Sequence, residues 1–239
     1  MDRYRAARCM IALRALSAAA ALLAVAPTHA ETPTGVLFAG GTVSESSSVY
    51  AGAVVSVPGA TLGHGFALRG SANAGQYQYD GGPGRIDADY AGGEVALVYQ
   101  TSGNWGWTNF SAGPRYTHTR LSPADPENDR RGSRWDLGLQ TDGALDGPQW
   151  RLGWYGSLGP FDGSYQARLQ IGRKLNSAGL RIGAESGIQG DPSYTKGSLG
   201  GFVAVPVARN FDLQFGAGAT EQAGRGARGY GSIALSRIF

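Results

Sequence analysis

The chain has almost no cysteine and, beyond its first thirty residues, no long apolar run. Its single cysteine is Cys9, so the rest of the chain cannot form an internal disulfide. After residue 30 no segment offers the roughly eighteen consecutive apolar residues that a transmembrane helix requires. If this part of the chain crosses a membrane, it must do so with strands, because only helices and closed barrels satisfy every backbone polar group in lipid.

Histidine is nearly as scarce, which limits catalytic chemistry. After residue 30 only His64 and His118 occur, and we expect them near opposite ends of strands, roughly a membrane thickness apart. His118 with Ser122 and Asp125 is a candidate hydrolase set, since a nucleophilic serine needs an adjacent base. Such residues are common in exposed loops, however, and no strained nucleophile turn accompanies them. We predict no catalytic residues and no enzymatic activity.

Motifs for cofactors and metals are weak or absent. The segment Gly224–Gly229 matches the GxGxxG spacing, but it connects two predicted strands and opens no helix, which argues against dinucleotide binding. Neither Asp87 with Asp89 nor Asp125 with Asp129 has the spacing of a calcium-binding loop. We predict no cofactor and no metal ion.

The first thirty residues have the pattern of an export signal. A basic segment over 2–8 precedes an apolar run over 9–27, and small residues before Glu31 offer a cleavage site. We therefore predict a cleavable signal peptide over 1–30 and one mature domain over 31–239. The first thirty residues hold four of the 21 Lys+Arg and one of the 18 Asp+Glu. The mature domain thus has no net charge, and we predict no nucleic-acid partner.

After residue 30, apolar residues alternate with small or polar residues along most of the chain. All 39 glycines lie in this part. Persistent alternation with many glycines is typical of a barrel with lipid outside and small or polar side chains inside. We predict an all-β, antiparallel transmembrane β-barrel of twelve strands, with ten as the alternative count and a soluble β-sandwich or lipocalin-like barrel as the alternative fold. The predicted strands are 34–44, 48–57, 64–77, 87–100, 105–118, 133–143, 149–158, 164–173, 179–188, 196–205, 210–219 and 229–239.

The predicted connections differ in length at the two ends of the barrel. Short turns follow the even-numbered strands, at 58–59, 102–104, 146–147, 176–179 and 209–210. Longer loops follow odd-numbered strands, at 80–85, 120–132, 189–195 and 220–228. Because periplasmic turns are short and extracellular loops are long, we expect both termini in the periplasm.

Aromatic residues agree with this placement, because such barrels carry an aromatic belt at each lipid–water interface. The final predicted strand alternates regularly and ends on an aromatic residue, as closing strands of outer-membrane barrels do. The predicted periplasmic belt is Tyr99, Trp105, Trp150, Phe211 and Phe239, and the predicted outer belt is Tyr116, Trp135 and Tyr165.

A row of charged residues occupies the strand face opposite the apolar row. Arginine occurs in this row on five consecutive strands, from the fifth to the ninth. The row favours a network of ion pairs that fills a narrow barrel, and the alternative is a lumen that selects solutes by charge. Only Tyr155 stands out as an inward aromatic, so the sequence gives little support for a conduit that guides a glucan by aromatic stacking. The predicted inward charges are Arg69, Glu94, Arg115, Arg134, Asp136, Arg151, Arg168, Arg181, Glu185 and Asp212.

The longest predicted loop is built from stiff and turn-forming residues. Prolines fix the backbone φ, Ser and Asp side chains hold turns, and a glycine lets the chain re-enter a strand. Such a loop is either a shaped outer lid or polymer contact, or an ordinary long barrel loop. The residues in question are Leu121, Ser122, Pro123, Asp125, Pro126, Arg131 and Gly132.

The stretch from Leu121 to Trp135 resembles the corresponding segment of the cellulose biosynthesis protein BcsS family, and the Gly-rich spans 183–190 and 199–203 are similar to that family too. The resemblance implies an outer-membrane barrel of a Gram-negative bacterium that assists cellulose or exopolysaccharide biosynthesis or secretion. It implies outer-membrane lipid, a glucan such as cellulose and periplasmic export components as partners. An envelope-acting barrel hydrolase or acyltransferase and a generic small porin are the alternatives.

Overall fold

Twelve antiparallel strands wrap into one closed sheet. The computed structural model describes residues 32–81, 84–177, 179–208 and 210–239, so the predicted signal peptide lies outside the described residues. Each strand pairs with its neighbours in the sequence, and β1 pairs with β12. The predicted all-β antiparallel barrel and its count of twelve strands are confirmed. The strands are β1 (Gly35–Val43), β2 (Ser47–Ser56), β3 (Gly65–Gly81), β4 (Gly84–Gly103), β5 (Gly106–Ser122), β6 (Gly132–Asp146), β7 (Trp150–Gly159), β8 (Ser164–Lys174), β9 (Arg181–Asp191), β10 (Tyr194–Ala208), β11 (Phe211–Gln222) and β12 (Gly226–Ile238).

The seam between the first and last strands closes the barrel. Its register runs from Val36 opposite Ile238 to Val43 opposite Gly231. The terminal residue extends the ladder, because Phe239 N donates to Gly35 O at 3.0 Å and Thr34 N donates to Phe239 O at 2.7 Å. A closed ladder leaves no strand edge with unpaired backbone groups.

Side chains on the two faces of the sheet differ in polarity. Large apolar residues on the outer face are exposed, including Leu97, Phe110 and Leu199, each with more than half of its surface accessible. On the inner face, a small apolar cluster of Val54, Ala67 and Val98 is almost fully buried. An apolar exterior around a narrow interior is the arrangement expected of a sheet surrounded by lipid. The described residues contain no helix that is long and apolar enough to cross a membrane.

The two ends of the barrel carry different structures. We call the end with the β1–β2, β3–β4, β5–β6, β7–β8, β9–β10 and β11–β12 connections the mouth, and the other end, which holds the chain termini, the terminal end. At the terminal end Tyr99, Trp105 and Trp150 are exposed. Nearer the mouth, the rings of Tyr116 and Trp135 contact each other on the outer face at a centroid distance of 5.1 Å.

The strands rise further at the mouth than the sequence predicted. The strands extend into the predicted loops 80–85, 189–195 and 220–228, because β3 continues to Gly81, β9 to Asp191 and β11 to Gln222. The β5–β6 connection is long at this end, over residues 123–131. Outside the lipid both faces of a strand meet water, so alternation fades although the ladder continues. At the terminal end the β2–β3 connection, residues 57–64, is longer than the predicted turn.

Strands β4 and β5 approach each other closely at a point where their ladder is interrupted. Their ladder pairs Glu94 with Arg115 and Leu97 with Ala112, while the residues between these pairs form no ladder pair. Pro114 lies in this gap and has no N–H to donate. A Cβ added to its neighbour Gly113 would lie 2.0 Å from Val95 O, a backbone atom that cannot swing away.

We expect Gly113→Ala to lower the free energy of unfolding by about 1–3 kcal/mol, because the added methyl group forces the two strands apart. The measurement is urea unfolding of the purified barrel, read by heat-modifiable mobility on gels. Gly70→Ala is the matched control, since a Cβ there has nothing within 4 Å. Equal unfolding midpoints for the two variants would contradict the close approach.

Candidate functional site

Ion pairs and hydrogen bonds across the interior form the candidate site. The structure places all ten predicted charged residues at inward positions of their strands, and their partners include residues on strands that are not adjacent. Contacts between non-adjacent strands must cross the inside of the barrel. The row is thus divided among three interior groups and one at the mouth.

The central group spans β3 to β7. Arg69, which is 5% exposed, donates to Ser111 Oγ at 3.1 Å and Gln140 Oε1 at 2.6 Å and pairs with Asp142. This guanidinium therefore links three strands. Buried charges of this kind are tolerated only when they are paired and hydrogen-bonded. Neither Gln140 nor Asp142 was predicted to take part.

A second carboxylate extends the central group. Glu94 accepts a hydrogen bond from Arg115 Nε at 2.7 Å and another from Gln140. Arg115 Nη2 also donates to Ser157 Oγ at 2.8 Å. Gly138 makes room for this pair, because a Cβ there would lie 2.1 Å from Glu94 Oε2.

The opposite wall carries a group centred on Glu185. Its carboxylate pairs with Arg168 and accepts hydrogen bonds from Gln170 Nε2 at 2.8 Å and from Tyr230 OH at 2.6 Å. Tyr230 lies on β12 and Glu185 on β9, so this contact passes over two intervening strands.

Looser pairs lie toward the terminal end. Asp146, which was not predicted, lies 3.2 Å from Arg151 and 3.5 Å from Lys174. Arg181 and Asp212 approach to 3.9 Å across β10. These pairs are more exposed than the central group, so each contributes less to stability.

The mouth holds a further ionic group around the β7–β8 connection. Asp136 Oδ1 accepts from Phe161 N at 3.0 Å, and Arg134 lies 3.7 Å from Asp162. Burial opposes ionisation of Asp162, but hydrogen bonds from Ser164 outweigh it and hold the pKa of this carboxyl below its usual range. The β7–β8 connection is thus tied to the inner wall through Asp136 and Asp162.

The β5–β6 loop, residues 123–131, reaches two distant walls. Asp125 Oδ2 accepts from Tyr79 OH on β3 at 2.8 Å, and Asn128 Nδ2 donates to the same hydroxyl at 2.6 Å. Arg130 Nη2 lies 2.9 Å from Asp191 Oδ2 at the end of β9. The loop therefore lies across the mouth, anchored on both sides.

The predicted loop residues take different places in this arrangement. Leu121 and Ser122 end β5, Gly132 begins β6 with a φ of 78°, and the Ser122–Pro123 peptide bond is cis. Asp125 is buried, whereas Pro123, Pro126 and Arg131 are exposed. Of the predicted residues, Asp125 holds the loop in place, and sequence reasoning missed its partners.

Inward aromatic residues are more numerous than predicted, so the selection of Tyr155 alone is wrong. Two of the missed rings lie outside the predicted strands, Tyr79 just beyond the strand predicted to end at residue 77 and Tyr194 in the predicted loop 189–195. The others lie on predicted strands, where their parity already put them on the inner face. The inward tyrosines are Tyr50, Tyr77, Tyr79, Tyr90, Tyr155, Tyr194 and Tyr230.

The candidate hydrolase set does not assemble. His118 Nδ1 lies 3.1 Å from Ser133 Oγ on the exposed outer face, while Asp125 is bound to Tyr79 in the loop. His64 has a similar contact at the terminal end, 3.0 Å from Ser102 Oγ. Among the described residues no group of three or more His, Cys, Asp or Glu side chains could hold a metal ion.

A closed sheet with an apolar exterior and an ionic interior is the fold of outer-membrane β-barrels. Among solved structures, the chain is similar to an outer membrane channel from Pseudomonas putida F1, at 12% identity and a TM-score of 0.54 over 90% of this chain and 100% of that one. It also matches the translocator domain of autotransporter NalP from Neisseria meningitidis, at 13% identity and a TM-score of 0.45 over 99% and 98% of the two chains. Identities this low indicate the fold alone.

A match to the sequence model of a protein family identifies the family of this chain. The model for the cellulose biosynthesis protein BcsS family matches residues 36–239, which is the barrel without its first residue, Gly35. The chain belongs to this family, as the resemblance had implied. No curated protein matches the chain.

We expect Arg69→Ala to destabilise the barrel by about 3–5 kcal/mol, because it removes the buried cation of an ion pair and leaves the half-buried Asp142 carboxylate without its partner. The matched control is Arg228→Ala at the rim, where Arg228 Nε pairs with Glu45 at 2.7 Å but both side chains are about half exposed. Its loss is expected to cost about 0–1 kcal/mol. Urea unfolding midpoints compare the two, and a larger effect for Arg228→Ala would contradict the central network.

Proposed function

We propose that the chain is a non-enzymatic outer-membrane barrel that assists the formation or secretion of cellulose or a related exopolysaccharide. Membership of the cellulose biosynthesis family carries this proposal. The exposed apolar belt supports a location in lipid. In this proposal the signal peptide is removed, the termini are periplasmic, and the mouth faces outward. The partners are outer-membrane lipid, the emerging glucan and export components in the periplasm.

The filled interior supports an accessory or scaffold role over that of an open pore. Arg69 links β3 to β6, and Glu185 links β9 to β12, so side chains occupy the middle of the barrel. The anchored loop also lies across the mouth. A generic small porin needs a continuous water-filled lumen, which these contacts disfavour.

An envelope-acting hydrolase or acyltransferase remains the alternative from another class. It would need a base beside a nucleophile, and only the exposed pair of His118 with Ser133 offers one near the mouth. In the described part of the chain, the side-chain hydrogen bond of His118 goes to Ser133 and not to a carboxylate. The geometry therefore favours a role without chemistry.

Deletion of the gene in a cellulose-producing host should lower or disorganise cell-associated cellulose, measured by dye binding and fibre morphology. Expression of the native chain should restore both, and so should His118→Ala, because no reaction depends on that histidine. An unchanged phenotype on deletion contradicts the accessory role. Failure of His118→Ala at normal barrel levels would favour the enzyme alternative.

Planar bilayers containing the purified barrel should show little or no conductance, because the interior is filled. Arg168→Ala should lower the unfolding temperature, since Glu185 loses its cation, while conductance stays low. Large anion-preferring channels in the native protein that lose selectivity in this variant, at unchanged stability, would establish a charge-selective pore instead.

A further inference from the structure

The rim of the mouth is uneven and leaves a notch in the wall. The β1–β2 hairpin turns after Val43, and Ser47 on β2 pairs with Gln76, so the rest of β3 stands above it. On the other side, the β11–β12 hairpin also rises past this point. Arg225 from that hairpin donates to Gln78 O at 2.8 Å across the gap. The short β1–β2 hairpin thus forms the floor of an opening between the taller β3–β4 and β11–β12 hairpins.

The notch is a cavity of about 320 Å³ with a polar lining and one aromatic ring. Four of its five charged side chains form pairs, Arg228 with Glu45 at 2.7 Å and Arg225 with Asp80 at 3.9 Å, and the fifth, Arg85, donates to the side chain of Gln78. Planar groups that donate and accept hydrogen bonds, with nearly balanced charge, suit a ligand rich in hydroxyl groups better than an ion. The lining residues are Glu45, Gln78, Tyr79, Asp80, Arg85, Gly224, Arg225 and Arg228.

The aromatic ring in the notch, Tyr79, is the first of three contacting tyrosine rings that lead into the barrel. Tyr79 stacks with Tyr77 at a centroid distance of 6.1 Å and an interplanar angle of 30°, and Tyr77 contacts Tyr90 at 6.4 Å. Gly75 lies opposite Tyr90, and its missing side chain leaves room for the phenol, since a Cβ there would lie 2.5 Å from the hydroxyl. The three half-buried rings form one surface that leads inward from the notch.

We propose that the notch and this tyrosine surface bind a segment of a neutral glucan chain, an inference that rests on the proposed function. The flat CH faces of a β-linked glucan stack on tyrosine rings, while the paired charges of the rim bind its hydroxyl groups. The β5–β6 loop borders the same surface, because Asp125 and Asn128 hold Tyr79 OH. The ligand is held at the edge of the barrel, so binding does not require an open lumen.

Calorimetry with cellohexaose and the purified barrel in detergent tests the site. Tyr77→Ala and Tyr79→Ala should each weaken binding about tenfold, the loss expected for one aromatic contact with its buried area. Tyr79→Phe should retain more affinity than Tyr79→Ala, because the ring stays while the hydroxyl that holds the loop is removed. Tyr99→Ala, which removes an exposed outer-face tyrosine, is the matched control and should bind like the native protein. Heat-modifiable gel mobility shows that each variant is folded.

Two outcomes overturn the site: no binding of cellohexaose by the native barrel, or native affinity in the folded Tyr77→Ala variant. Tighter binding of an oligouronate than of cellohexaose overturns the neutral ligand class. The accessory role is tested separately by the deletion phenotype. If deletion lowers cellulose while cellohexaose does not bind, the site is wrong and the accessory role stands; if deletion changes nothing, the accessory role fails whatever the calorimetry gives.

Discussion

The structure depends on the absence of any free strand edge. A sheet surrounded by lipid has no water to satisfy its backbone groups, so the first strand must pair with the last. The seam from Val36 to Val43 and the bonds of Phe239 meet this requirement. The small radius of the closed barrel then limits the size of the inward side chains, because side chains from opposite walls must fit together.

Large polar side chains fit inside the barrel because glycines, which have no side chain, lie beside some of them. Arg69 and Glu94 occupy the middle of the barrel, and Gly138 leaves the space that the carboxylate needs. Gly75 does the same for Tyr90. Because Glu94 and Tyr90 each lie against a glycine of another strand, glycines contribute to the shape of the interior as well as to its narrowness.

The sequence predicts the parts of the fold that lipid imposes. Alternation is strong where one face meets lipid, which is why the strand count could be read from the residues. Above the lipid this constraint ends, so Tyr79 and Tyr194 were left outside the predicted strands although they belong to strands. Partners across the interior, such as Arg69 with Asp142, depend on the stagger of the strands, which no local pattern records.

The position of the β5–β6 loop has a consequence for the order of assembly. Its anchor on β3, Tyr79, precedes the loop in the chain, but its other anchor is Asp191, the last residue of β9. The loop can be tied on the first side as soon as the hairpins around it form. It cannot be tied on the second until three further strands, β7, β8 and β9, are in place, so the Arg130–Asp191 contact requires most of this wall to be formed.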